Sequence, residues 1–224
     1  MTTEENDCMR EARLLAYRVF QNIFGNAPTE QALAIIADGS TAEALASFEA
    51  FAPDADYAEA LEAALRPLDD CAKDPAAFVK EAASSYTKLF IGPGSLAASP
   101  WSSHYLADPT LLFQEHTLQI RGLYRAQGFL PEAYPHVADD HIALELDFLA
   151  HLAERSLSES DGASLTASQA FLQNHLLAWA PRYIDNLAGA AEGTLWQPFG
   201  QLLVRFLRAD SAYLDSLSLS APAA

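Results

Sequence analysis

The chain has 224 residues, half of them hydrophobic, and carries 30 acidic against 13 basic side chains for a formal net charge of −17. That length and apolar content exclude a disordered chain and supply enough residues for one large core. The charge argues against nucleic acid or an anionic membrane surface as partner, leaving a cationic partner or solubility alone.

Helix signals run the length of the chain, and strand signals are almost absent. The first stretch, MTTEENDCMREARLLAYRVF, lacks the basic and apolar regions of a secretory signal. Leu14, Leu15, Tyr17, Phe20, Ile23 and Phe24 follow helical spacing, and Gly25 is a stop. Ser40 with Glu43 forms a capping-box pattern that opens a helix to about Phe51. Asp56 to Leu68 predicts a short acidic amphipathic helix. Asp74-Pro75 places an N-cap acid before a proline at the first helical position, for a helix to about Phe90. Cys8 and Cys71 have no CxxC spacing, so neither a zinc site built on cysteine nor a disulfide framework is expected.

Residues 91–109, IGPGSLAASPWSSHYLADP, hold two glycines and three prolines and predict an irregular segment. Asp108-Pro109 repeats the cap-and-proline device for a helix ending at Gly128. A loop over 129–138 then leads into a helix from 139 to about Arg155. Thr166 with Gln169 opens another through Trp179, with Pro181 breaking or kinking it. Thr194 with Gln197 opens a last helix to about Leu217, before a frayed tail over 218–224. The expectation is an all-α fold: one bundle of eight to ten helices over residues 1–217. The uncharged stretches 89–107 and 162–181 are too polar for a membrane span, so a cytoplasmic protein is expected.

Two segments carry candidate chemistry. The first is DDHIALELDFLAHL, residues 139–152. On a helix, His141 and Glu145 share a face, as a metal pair would. No Glu-x-x-His occurs in the chain, however, which is the bundle di-metal pattern. Asp140 and His141 are sequence neighbours and do not face each other as an acid–base pair. Asp139 and Asp140 suit a helix N-terminus, where acids cap free N–H groups. The second segment is the loop with Trp101, His104 and Tyr105. Its rings either plug the bundle from outside or form a rigid apolar surface for a peptide with basic and apolar parts. No phosphate loop, dinucleotide fingerprint or Gly-x-Ser-x-Gly elbow is present.

Three segments together resemble one family. Tyr86-Thr87-Lys88-Leu89-Phe90-Ile91-Gly92-Pro93-Gly94, followed by Pro100-Trp101-Ser102-Ser103-His104-Tyr105, is similar to the signature of the TorD/DmsD-like redox-enzyme maturation chaperones. Asp140-His141 heading a helix resembles that family's Glu-Pro-x-Asp-His motif, with Val137-Ala138 where Glu-Pro stands in the family. Phe171 to Pro181, FLQNHLLAWAP, resembles a third segment. In the first signature, Ser102 and His104 replace the usual Glu and Val.

The resemblance implies an all-helical cytoplasmic chaperone, not an enzyme, with no cofactor of its own. Its implied partners are a twin-arginine leader peptide and the apo form of a molybdenum-cofactor oxidoreductase subunit, held for cofactor insertion before export. A nitrate-reductase-type relative would instead serve a non-exported subunit. The site expected from the resemblance is Tyr86, Leu89, Phe90, Pro100, Trp101, Ser103, Tyr105, Asp140 and His141. Leu89 and Phe90 are expected as walls, with Asp140 and His141 at one lip. The competing reading is a metal-dependent enzyme using His141, Glu145 and Glu115. Long loops in a bundle permit segment exchange, so a monomer or a domain-swapped dimer is expected.

Overall fold

The computed structural model describes residues 3–106, 115–132, 136–159 and 162–220. The helices are α1 (Thr3–Gly25), α2 (Glu30–Ile36), α3 (Gly39–Ala46), α4 (Tyr57–Lys73), α5 (Pro75–Tyr86), α6 (Ser103–Leu106), α7 (Glu115–Ala126), α8 (Ile142–Ser156), α9 (Ala163–Phe171), α10 (Leu177–Ala188) and α11 (Trp196–Ser220). A π turn, Leu172–Leu176, joins α9 and α10 into one rod, so the described residues form ten helices in one bundle, as expected. A second π turn, Thr87–Ile91, ends α5.

Several helix ends follow from local chemistry, and some differ from the sequence expectation. Asp74 caps α5 as read, its carboxylate accepting the Ala77 N–H at 3.1 Å. At α3 the cap is Asp38 rather than Ser40: its carboxylate accepts the Ser40 N–H at 2.9 Å, and a 3-10 turn, Ser47–Phe51, follows. α2 was not expected; it is a short helix capped by Thr29. α9 starts at Ala163 behind left-handed Gly162, three residues before Thr166. Pro181 lies inside α10 without ending it. The Asp108-Pro109 cap lies outside the described residues.

The core forms around α8. Eleven of its side chains, from Ile142 to Ser156, are buried, and a helix buried over most of its surface belongs inside a bundle. α1 packs along α8, close enough that a Cβ on Gly25 would sit 2.7 Å from that of Ala143. α11 packs against α4, α10 and α1. There the buried Arg13 guanidinium donates to both carboxylate oxygens of buried Asp210, at 2.6 and 3.0 Å, and Tyr17 donates to the same carboxylate. A buried charge must be paired in this way to be tolerated.

Candidate functional site

The head of α8 and the segment Pro100–Leu106 form one unit. The Ile142 N–H donates to the Pro100 carbonyl at 2.8 Å, and the Ser102 N–H to the Asp140 carbonyl at 2.9 Å. These bonds flank an isolated antiparallel bridge between Trp101 and His141, whose rings meet edge to face at 5.4 Å. A helix start buried beneath a loop needs such partners for its free N–H groups.

The N-cap of α8 is His141, not Asp139 or Asp140. Its Nδ1 accepts the Ala143 N–H at 3.1 Å. Burial pushes the imidazole down to about 4, against the opposing pull of Asp140. A ring that accepts at Nδ1 must be neutral there, so bond and shift agree.

Both aspartates turn inward. Asp140 is buried, and its carboxylate accepts the Ser103 N–H at 3.0 Å and the Thr117 hydroxyl at 3.1 Å. Asp139 is also buried and is paired with Arg121 at 2.6 Å, while its carbonyl accepts the Tyr124 hydroxyl. These carboxylates tie α6 and α7 to the head of α8. Neither presents a bare acid to solvent.

Behind them lies a set of buried and half-buried polar groups. Ser102 Oγ is 2.8 Å from His116 Nε2. Glu145 is fully buried and accepts the Trp179 indole N–H at 3.1 Å. Burial raises its carboxyl to about 8, opposed by hydrogen bonds from Trp179 and Ser102. Burial lowers His116 and His175, whose rings are 6.2 Å apart. Tyr105 stacks on Trp179 at 5.5 Å, and Arg182 donates to its carbonyl at 2.6 Å. Ser102, His116, Thr117 and Trp179 escaped the sequence reading as a group because no spacing links them. Ser102, in the segment Pro100 to Tyr105, and Trp179, in the segment Phe171 to Pro181, each carried a signal of their own.

Pro100, Trp101, Ser103, Asp140 and His141 are therefore brought together, with Tyr105 of α6 beside them, packed against Trp179 and Tyr183 of α10. Tyr86, Leu89 and Phe90 lie elsewhere, in the core at the end of α5. The Tyr86 and Phe90 rings pack on Trp196 at 5.9 and 5.7 Å. Aromatic contacts connect the two places, from Phe90 to Phe24, from Phe24 to Tyr183, and from Tyr183 to Tyr105. The metal reading gains no geometry: His141 Nδ1 accepts a backbone N–H, and one oxygen of Glu145 accepts the Trp179 indole N–H. Among the described residues no three His, Cys, Asp or Glu side chains are grouped to hold an ion.

Comparison with known proteins bears on this unit. The family model described as nitrate reductase delta subunit matches residues 54–185. Chaperone protein TorD of Vibrio cholerae serotype O1 (strain M66-2) is 32% identical over 141 residues, which is 61% of this chain and 64% of that protein. Chaperone protein TorD of Vibrio parahaemolyticus serotype O3:K6 is 28% identical over 138 residues, 60% of this chain and 64% of that protein. The Tat proofreading chaperone DmsD of Salmonella typhi is 31% identical over 118 residues, 53% of this chain and 54% of that protein. The chain thus spans less than two thirds of the length of the relatives it matches.

Proposed function

The chain belongs to the nitrate reductase delta subunit family, and from that premise we propose that it is a redox-enzyme maturation chaperone rather than an enzyme. Its client is the apo form of a molybdenum-cofactor oxidoreductase subunit, recognised through a twin-arginine leader in the cytoplasm before export. The relatives named as chaperones support this reading.

The observation that carries it is the seating of the Pro100–Leu106 segment on α8. Asp140 holds that segment through the Ser103 N–H and is itself held by Thr117 of α7, while Trp101 and His141 keep part of their surface exposed. A pinned aromatic surface on a strongly acidic chain suits a basic and apolar peptide: the rings supply contact area at low entropy cost, and the charge speeds encounter. In this role Trp101, Tyr105 and His141 contact the peptide. Pro100, Ser103 and Asp140 hold the loop in place, while Phe90, in the core at the end of α5, is linked to it through the Phe24 and Tyr183 rings.

Titration calorimetry with a synthetic twin-arginine leader peptide tests this. Binding is expected for the chain, with loss of affinity in His141→Ala and Trp101→Ala at unchanged helicity. Equal affinity in both variants would remove the assignment. A second reading has one observation in its favour, the description of the matching family itself: a chaperone for a non-exported subunit. An N-terminal peptide of such a subunit that binds where the twin-arginine peptide does not would select it.

A further inference from the structure

Away from the α8 head, a groove of about 700 Å³ opens between α4, α5 and the start of α11. Its apolar lining comes from Ala60, Ala63 and Pro67 on α4, Phe78 and Ala82 on α5, and Trp196 on α11. Positions 60, 63 and 67 are spaced three and four apart and therefore share one face of α4. Their small side chains leave the trough empty. Pro67 also has no N–H to give to the Ala63 carbonyl on the same wall, so the usual donor for that acceptor is missing. The floor is firm. The Trp196 indole donates to the Ile23 carbonyl at 2.9 Å, and Tyr86 and Phe90 brace its ring.

The charges on the groove are arranged differently from those at the α8 head. Asp70 on α4 and Glu81 on α5 line the groove and are exposed. Glu81 makes no ion pair among the described residues. Among the described residues Asp70 pairs only with Lys73, the side chains of Lys73 and Asp70 being 75% and 72% exposed, a weak attachment in water. Arg66, the base on this lining, meets Glu62 at 3.1 Å in an equally exposed pair, at 69% and 76%, so Asp70 and Glu81 outnumber it on the lining. Asp139 and Asp140 are consumed internally, so an incoming cation needs other acceptors, and these two acids are placed for it.

We propose that this groove docks the apolar, helix-forming stretch of the leader peptide, with an adjacent cationic residue held at Asp70 and Glu81. The proposal rests on the leader-binding reading above. One face of a peptide helix presents side chains three and four residues apart, and a trough walled by alanines accepts such a ridge. Tyr86 and Phe90 then act from beneath: they position the Trp196 floor and do not touch the peptide.

Photocrosslinking and calorimetry on the full chain test the proposal. The probe is a synthetic peptide with two adjacent arginines and a benzophenone side chain inside its apolar stretch. Adducts are expected within residues 60–85 or 194–201. Asp70→Lys with Glu81→Lys is expected to weaken binding about ten-fold at low salt, and Ala63→Trp, which fills the trough, at least as much. The charge variants alter only exposed side chains and leave folding intact. A peptide that binds the wild-type chain but crosslinks only to the 100–105 loop, or binds both variants as tightly as the wild type, overturns the groove and leaves the leader-binding reading standing. A peptide that does not bind the wild-type chain overturns both. A concentration-dependent dimer abolished by Ala63→Trp, with peptide affinity unchanged, would make the groove a self-association surface and also overturn the proposal.

Discussion

The head of α8 and the groove between α4, α5 and α11 carry the same ingredients, acids beside aromatic rings, and use them in opposite ways. At the α8 head every carboxylate is turned inward. Asp140 is taken by Ser103 and Thr117, Asp139 by Arg121 and Glu145 by Trp179. At the groove the acids stand at an exposed rim and the rings lie on the floor. A buried acid with donors of its own chain is a fastener, because breaking those bonds strands polar groups away from water. An exposed acid over an apolar trough remains available to a partner. The composition of a patch does not distinguish these cases; burial and bonding partners do.

The comparison predicts unequal responses to substitution. The largest effect is expected for Asp140→Ala, which strands the Ser103 N–H and the Thr117 hydroxyl and should cost about 4 kcal/mol of stability in a denaturant titration. Asp140→Asn, which keeps an acceptor, should lose less than half of that. If Asp140→Ala matched the wild-type midpoint, the fastening role would fall.

Glu145 gives the next effect, and it depends on pH. Unfolded, its carboxyl releases its proton near 4.5; folded, near about 8. The folded state therefore binds more protons across that window, and stability falls as pH rises through it. Glu145→Gln keeps an oxygen for the Trp179 N–H and cannot ionise. Relative to wild type it should gain about 3 kcal/mol between pH 5 and pH 8. Parallel melting curves across that range would contradict the buried, protonated acid.

His141 has the opposite sign. Its imidazole charges near 6.5 when unfolded and only near about 4 when folded. Stability from this group is complete above 6.5 and is lost as pH falls toward 4. His141→Asn retains an N-cap acceptor and should remove about 2 kcal/mol of that acid-side loss. Hydrogen exchange of the α8 amides at pH 4.5 and 7 measures it. The smallest effect on stability belongs to the groove: Asp70→Ala should shift the unfolding free energy by less than about 0.5 kcal/mol. Its effect on peptide affinity should be several-fold.

The all-helical fold was legible because alanine, leucine and cap residues all point to helix, and the Asp74-Pro75 device appears as read. The misread ends have local causes. Asp38 outcompetes Ser40 because its carboxylate accepts both the Ser40 N–H and the Ser40 hydroxyl. His141 displaces the preceding acids as cap because those acids are bonded to α6 and α7. Their partners are distant in sequence: Ser103 lies 37 residues from Asp140 and Thr117 lies 23. No spacing rule reaches that far. The groove left a faint trace, small residues at 60, 63 and 67 with a proline inside a helix. That pattern acquires meaning only once α5 and Trp196 are packed against it.

The most direct test of the central claim is a calorimetric titration of the wild-type chain with a twin-arginine leader peptide and with the same peptide carrying glutamine at both arginine positions. The account predicts saturable binding of the first that weakens as salt is raised, and at least ten-fold weaker binding of the second. Absence of binding by the first, or equal binding of both, would contradict it.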